Sequence, residues 1–323
     1  MPRVSIGMPL YNGERYLRCA IESLLDQTYT DFELLIADNC STDSSLEIAQ
    51  DYASRDSRIR IVEREKNQGA IDNFNFVFNE SSGELFKWAA VDDICRPRFL
   101  EKCVTALDEN PEAVWSHSTS DKIDSAGESL LQKLTGDDPL VQRVDGKLAW
   151  KNFPRPGFAS PSPAARFGNV LLGTNWCVDS YGVFRRSALQ KTRLFINVYG
   201  AEKVLIGELS LLGKYVHVDE DLFSQRIHDA ASSSLTSHKE QQEYTGAKKR
   251  SFLRTRLALC KAHLNSVYRH RIGITEKAKA HWAVMRYMLQ MGKWSKMIKD
   301  FWYQRGLGGG GKRLLEKTQS PSH

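Results

Sequence analysis

Val4-Ser5-Ile6-Gly7-Met8-Pro9, then Tyr11-Asn12-Gly13, then Phe32-Glu33-Leu34-Leu35-Ile36-Ala37-Asp38 is the stretch whose reading decides the fold. The first run is short and apolar, and Pro9 marks its end because proline has no N–H for a sheet ladder. Between the two runs, Leu17, Ala20, Ile21, Leu24 and Leu25 recur at helical spacing and make one apolar stripe. A strand, a turn, an amphipathic helix and a second strand therefore follow one another within the first 38 residues.

The same alternation continues outward. Asn39-Cys40-Ser41-Thr42-Asp43 offers helix-capping residues, and Leu46, Ala49, Tyr52 and Ala53 continue at helical spacing. Residues 59–62 read as a third strand, 71–78 as a helix and 85–91 as a fourth strand running into Asp92-Asp93. Phe99, Leu100, Cys103, Val104 and Leu107 predict a further helix, and residues 114–117 a fifth strand. Strand and helix in turn over about 120 residues predict an α/β domain with a mainly parallel sheet flanked by helices. Ligands bind such sheets beyond the carboxyl ends of the strands. Tyr11-Asn12, Asp38, Asn67 and Asp92-Asp93 collect at those ends.

Composition sets the outer bounds. The 323 residues are 41% hydrophobic and 26% charged, as in an ordinary globular protein. No apolar run approaches the ~20 residues of a spanning helix, and the N-terminus has no apolar signal core. The six cysteines show no C-x-x-C spacing, which leaves free thiols in a reducing cytoplasm as the expectation. From Gly246 onward there are eighteen Lys and Arg against three acidic residues, so the chain's +6 divides into a −9 body and a +15 tail. No G-x-G-x-x-G follows the first strand and no G-x-x-x-x-G-K-[ST] occurs, which disfavours nicotinamide enzymes and P-loop phosphotransferases.

An Asp-Asp pair behind a strand supplies hard oxygen ligands, and Mg²⁺ or Mn²⁺ on a diphosphate needs only one or two protein carboxylates. Alone, such a pair is more often a solvated turn or a helix cap. Here it stands in order with residues 4–12, 23–29 and 32–43, with Asn67-Gln68-Gly69, Gly83-Glu84 and Trp88-Ala89-Ala90-Val91-Asp92-Asp93. In that order and spacing the chain resembles the family-2 glycosyltransferases, strongly over residues 3–120 and more loosely over 180–235. The resemblance implies a GT-A fold and inverting transfer of a sugar from a nucleotide diphosphate, UDP by default, to a hydroxyl of a saccharide or lipid-linked acceptor. It implies that Pro9 and Tyr11 frame the nucleobase, that Asp38 hydrogen-bonds it and that Asn67 lies near the nucleotide. Asp92 is implied to contact the ribose or the hydrated cation, and Asp93 to ligate Mg²⁺ or Mn²⁺. The family's commoner motif carries an acidic residue where this chain has Ala90.

In the second half, Tyr181-Gly182-Val183-Phe184-Arg185-Arg186 resembles the segment lining the acceptor side. Glu202 falls where the family places its general base, with Glu208 and Asp179 as alternatives. Arg226-Ile227-His228, before Ser232-Ser233-Ser234, resembles the motif whose His reaches the metal or diphosphate. Trp150, Phe158 and Trp176 are candidates for stacking on an acceptor sugar, with core packing the plainer reading. Residues 128–175, with Asp137-Asp138-Pro139 and a Pro-rich run at 153–163, read as irregular.

The expected organisation is a catalytic domain at 1–240, with a nucleotide half at 1–120 and an acceptor half at 121–240. A basic helical extension follows at 241–305 and a flexible tail at 306–323, the tail beginning near the glycine run 308–311. Within the extension, apolar windows at 252–260, at Trp282, Met285, Met288 and Leu289, and from Trp294 to Trp302 lie among many cations. They read either as packed on the domain or a second subunit, or as resting on the anionic inner face of a membrane. The localisation expected is cytoplasmic or peripheral, with no nucleic-acid partner. A metal-dependent nucleotidyltransferase and an inactive sugar-nucleotide-binding protein are the competing functions.

Overall fold

A computed structural model describes residues 1–130, 141–144, 147–150, 156–174, 177–198, 200–229 and 252–290. Residues Met1–Tyr287 form one compact unit. Asp137-Asp138-Pro139, Trp176, Ser232-Ser233-Ser234, the window from Trp294 onward and the tail 306–323 lie outside the described residues, as does the side chain of Trp150.

The apolar runs become the centre of the sheet. β1 (Val4–Leu10), β2 (Phe32–Asp38), β3 (Ile59–Glu63) and β4 (Leu85–Trp88) pair in parallel in the order β3-β2-β1-β4. Helices cover both faces, so β1 and β2 are buried along nearly their whole length and carry continuous apolar sequence. α1 (Glu14–Leu25) and α2 (Ser45–Arg55) bury the stripes read from the sequence, and α3 (Ala70–Asn79) packs on β1. β1 continues through Pro9 to Leu10, one step past the stop the proline suggested.

Beyond β4 the sheet changes sense. β5 (Ile94–Cys95), α4 (Phe99–Asp108) and β6 (Ala113–Ile123) follow in the chain. β9 (Val183–Arg185) lies antiparallel between β4 and β6, and β10 (Lys214–Arg226) runs parallel to β6 and antiparallel to β5. Gly182 lets this reversed strand in, because a Cβ there would stand 2.3 Å from the Ser116 carbonyl oxygen.

Two sequence expectations are corrected. The fourth strand stops at Trp88, not residue 91; the Trp88 ring packs on Phe86, Phe184 and Phe195 and donates its Nε1–H to the Phe74 carbonyl at 2.8 Å. The segment read as irregular contains a hairpin, β7 (Val141–Val144) with β8 (Lys147–Trp150), and the helix α5 (Pro163–Gly173). Ser162-Pro163 was the overlooked signal: a serine N-cap accepts from the Ala165 amide, with proline at the first helical position.

α6 (Arg186–Leu189) and α7 (Ala201–Leu212) follow β9. Gly200 precedes α7 at φ 87°, a left-handed conformation that glycine adopts without strain. The helices Phe252–Arg269 and Ile274–Met288 complete the unit, the first packing on α7. The last one is tied in by Glu276, whose carboxylate accepts from the Ser162 hydroxyl and the Ala164 amide at the start of α5. Those bonds, led by Ser162 and then by Lys279, hold Glu276 down at about 2, below its ordinary 4.5. A carboxylate with a depressed folded value gives stability that is present above its unfolded value and lost as pH falls through the folded one. Glu276→Gln is therefore expected to cost about 1 kcal/mol near neutrality. It is also expected to flatten the fall in melting temperature between pH 4.5 and 2, as read by circular dichroism. An unchanged acid slope would remove Glu276 as its source.

Candidate active site

The strand order reverses between β1 and β4, and the crevice opens at their carboxyl ends, as this topology requires. It is a cleft of about 370 Å³ lined by Pro9 at the end of β1, Tyr11 and Tyr16 after it, Asn39 after β2, Asn67, Gly69, Ala70 and Asn73 before and on α3, and Asp92 after β4. Tyr181 and His228 also line it.

Five of the expected residues meet here: Pro9, Tyr11, Asn67, Asp92 and His228. Tyr11 is half exposed. Asn67 is held by Asn39, whose Nδ2 donates to Asn67 Oδ1 at 2.9 Å, and the Gly69 amide donates to the same oxygen. Asp92 Oδ2 and His228 Nε2 face each other at 2.9 Å.

Asp38 and Asp93 stand behind the wall. Asp38 is buried, and its carboxylate accepts from the Ser41 amide at 3.1 Å; Asn39 takes the place on the cleft that the sequence reading gave to Asp38. Asp93 is also buried, and its Oδ1 accepts from the Arg226 amide at 2.9 Å. Burial first, and then the charge of Asp92, push Asp93 well above the usual carboxylate range. The residue placed beside His228 is Asp92, where the resemblance had implied Asp93 as the cation's ligand.

Glu202 opens on a separate, smaller pocket of about 20 Å³ with Ser180 and Phe195. Ala70, Phe74 and Tyr181 line both hollows, so the pocket of Glu202 adjoins the larger cleft. Burial raises its carboxyl above the ordinary glutamate value of 4.5. Its alternatives are placed elsewhere. Glu208 is buried and accepts from Arg193 Nε at 2.6 Å and from the Arg193 amide at 2.8 Å, which ties α7 to the chain before it. Asp179 is buried in the turn Val178–Tyr181 and lines neither hollow. Phe158 is fully buried against Trp115 and Tyr215, as core packing requires.

The sequence names Arg226 only as part of the His228 motif and gives no sign of Tyr16. Arg226 is buried at the end of β10; its Nε donates to the Asp92 carbonyl at 2.9 Å and its Nη1 to the Asp124 carbonyl at 3.0 Å. Its guanidinium lies 4.5 Å from the Tyr16 ring centre, and that ring in turn packs 4.8 Å from His228. One arginine thus touches the backbone of Asp92, the carboxylate of Asp93 and the aromatic support of His228. The spacing of Arg226 to His228, two residues at a strand end, was the available signal.

Similarity to known proteins agrees with this geometry. Residues 5–192, more than half of the chain, match the family described as Glycosyl transferase family 2. An uncharacterized glycosyltransferase of Haemophilus influenzae is 27% identical over 246 residues, covering 75% of this chain and 70% of that protein. Among solved structures, S. aureus TarS 1–349 in complex with UDP-GlcNAc matches with a TM-score of 0.61 at 16% identity, over 88% of this chain and 72% of that one. The mannosyltransferase PcManGT from Pyrobaculum calidifontis, in complex with GDP-Man and Mn²⁺, matches with a TM-score of 0.54 at 13% identity, over 96% of this chain and 76% of that one. At these identities the two structures speak for the fold.

Proposed function

Because this chain belongs to glycosyl transferase family 2 and has the GT-A fold, we propose that it transfers a sugar from a nucleotide diphosphate, with inversion, to an acceptor hydroxyl. The observation that carries the proposal is the pairing of Asp92 with His228 in a cleft at the strand ends that shares lining residues with the pocket of Glu202.

The donor set suits a diphosphate-bound cation. Among the described residues no group of three His, Cys, Asp or Glu is able to hold a metal by itself. A Mg²⁺ or Mn²⁺ that takes most of its shell from phosphate oxygens and water needs only one or two protein donors. Two donors at right angles, each about 2.1 Å from such an ion, stand about 3 Å apart. Asp92 Oδ2 and His228 Nε2 meet that spacing. When bound, the ion would neutralise charge on the departing diphosphate.

The remaining work falls to the chain. Tyr11 would stack on the base, with UDP the nucleotide favoured by family resemblance and by the ligand named in the TarS structure. Asn39 and Asn67, fixed to each other, would hydrogen-bond the base or ribose. Glu202 would take the proton of the acceptor hydroxyl as its oxygen attacks the anomeric carbon from the face opposite the diphosphate. One bond forms, one breaks, and the anomeric configuration inverts. The products are the glycoside and a nucleoside diphosphate.

Arg226 acts through the groups it holds. Arg226→Met is expected to weaken Mn²⁺ affinity about 10- to 100-fold, as loss of a supporting contact to a ligand does. UDP binding without metal should change little, and Arg226→Lys should recover part of the loss. Calorimetry of UDP with and without Mn²⁺ separates the two effects. Equal weakening in both conditions would mean that Arg226 only supports the fold.

Incubation with UDP-, GDP- and dTDP-sugars, followed by product analysis, tests the reaction class. Nucleoside diphosphate and free or transferred sugar are expected. Pyrophosphate release from a nucleoside triphosphate and sugar phosphate would establish the nucleotidyltransferase reading instead.

A further inference from the structure

The helix Ile274–Met288 buries Ala280, Ala283, Val284 and Tyr287 and has a second apolar face that no described residue covers. Ile274, Trp282 and Met285 are 85%, 63% and 46% exposed. At 100° per residue they fall within one quadrant of the helix. Tyr268, on the preceding helix and 66% exposed, extends this surface through its ring contact with His281 at 5.0 Å. The apolar window read from the sequence is therefore not the face that packs.

The charges around it have one sign. Between residues 252 and 290 there are eight Lys and Arg, of which Arg256 is buried, and one acidic residue, Glu276, which accepts from the start of α5 and pairs with Lys279 at 2.9 Å. Arg286 and Lys279 flank the stripe on one side and Lys277 on the other, while Arg269 and Arg271 are exposed near Tyr268. A second copy meeting this face by twofold symmetry would set these cations against themselves. The chain's own residues 291–323 carry seven Lys and Arg against two acidic residues, so they too are a poor electrostatic match. An extended anionic surface suits both features: phosphate headgroups meet the cations, and Trp and Tyr suit the boundary between headgroups and acyl chains.

We propose that the exposed face of the helix Ile274–Met288, with Tyr268, is a docking surface for an anionic phospholipid membrane. No described helix is long and apolar enough to cross a membrane, so the contact is one of lying on the surface. This inference is independent of the donor reaction and would survive its revision.

The test is flotation of the full chain with vesicles of phosphatidylcholine, or of equal parts phosphatidylcholine and phosphatidylserine. Binding is expected only to the anionic vesicles, and weaker at high salt. A Trp282→Ser, Met285→Ser double variant should lose about tenfold or more in partitioning. Both side chains are exposed, so its melting temperature and its nucleotide binding should be unchanged. Undiminished flotation of the variant would overturn the proposal, as would failure of the parent chain to bind anionic vesicles. A dimer in sedimentation velocity that the double variant dissolves would assign the face to self-association instead.

Discussion

Asp92→Asn is expected to lower turnover of the nucleotide sugar about 10²- to 10³-fold, the scale of losing one charge-stabilising group at a departing anion. The change keeps the size of the side chain and removes its charge. It leaves His228 Nε2 without the carboxylate 2.9 Å away and leaves a bound cation with one protein donor fewer. The fold should be unaffected, because the contact anchoring this loop to Arg226 runs through the Asp92 carbonyl. Steady-state kinetics over a range of Mn²⁺ concentrations should show a raised metal requirement together with a reduced maximal rate. Asp93→Asn is the informative comparison. Asp93 is buried and its Oδ1 is taken by the Arg226 amide, so Asp93→Asn should change metal affinity less than Asp92→Asn. If Asp93→Asn raised the metal requirement and Asp92→Asn did not, the order of the two carboxylates proposed above would be reversed.

Glu202→Gln should reduce turnover about 10²- to 10⁴-fold, the usual worth of a positioned general base. Nucleotide affinity should be retained, since Glu202 lines the smaller pocket and not the nucleotide cleft. The pH profile supplies a second signature. A base works when ionised, and burial raises the Glu202 carboxyl above 4.5, so turnover should rise with pH through a value above that of a free glutamate. The residual activity of the glutamine variant should lack this acid limb. A variant that kept both its rate and its acid limb would exclude Glu202; Glu208 and Asp179 line neither of the two hollows described.

The nucleotide half was legible because a parallel strand covered on both faces must be apolar along its length. The polar residues behind each run then mark the strand's carboxyl end, and so the cleft. Tyr11, Asn67 and Asp92 followed from that logic. Which of two adjacent aspartates faces the cleft did not. It depends on the Arg226 amide, 133 residues further along the chain, capturing Asp93. Asn39 was missed for a related reason: Asp38 is held back by its own turn, a local bond that spacing does not reveal.

The last helix shows a different limit. Its sequence has two apolar stripes, one of Ala280, Ala283, Val284 and Tyr287 and one of Ile274, Trp282 and Met285. Periodicity detects both equally. The small alanines let the first approach the domain closely, so the bulkier stripe, which looks more hydrophobic on paper, is the one left outside. α5 was hidden by its prolines, although one of them occupies the single helical position where proline is favoured.

If Asp92 and His228 grip a cation-bound nucleotide diphosphate at the ends of β1 and β4, calorimetric titration of UDP into the full chain, with and without Mn²⁺ and beside Asp92→Asn and His228→Ala, will register it. Saturable binding that Mn²⁺ tightens in the parent chain, with the tightening lost in both variants, is the predicted result. Absence of saturable binding by UDP or GDP, or the same Mn²⁺ effect in both variants, would contradict it.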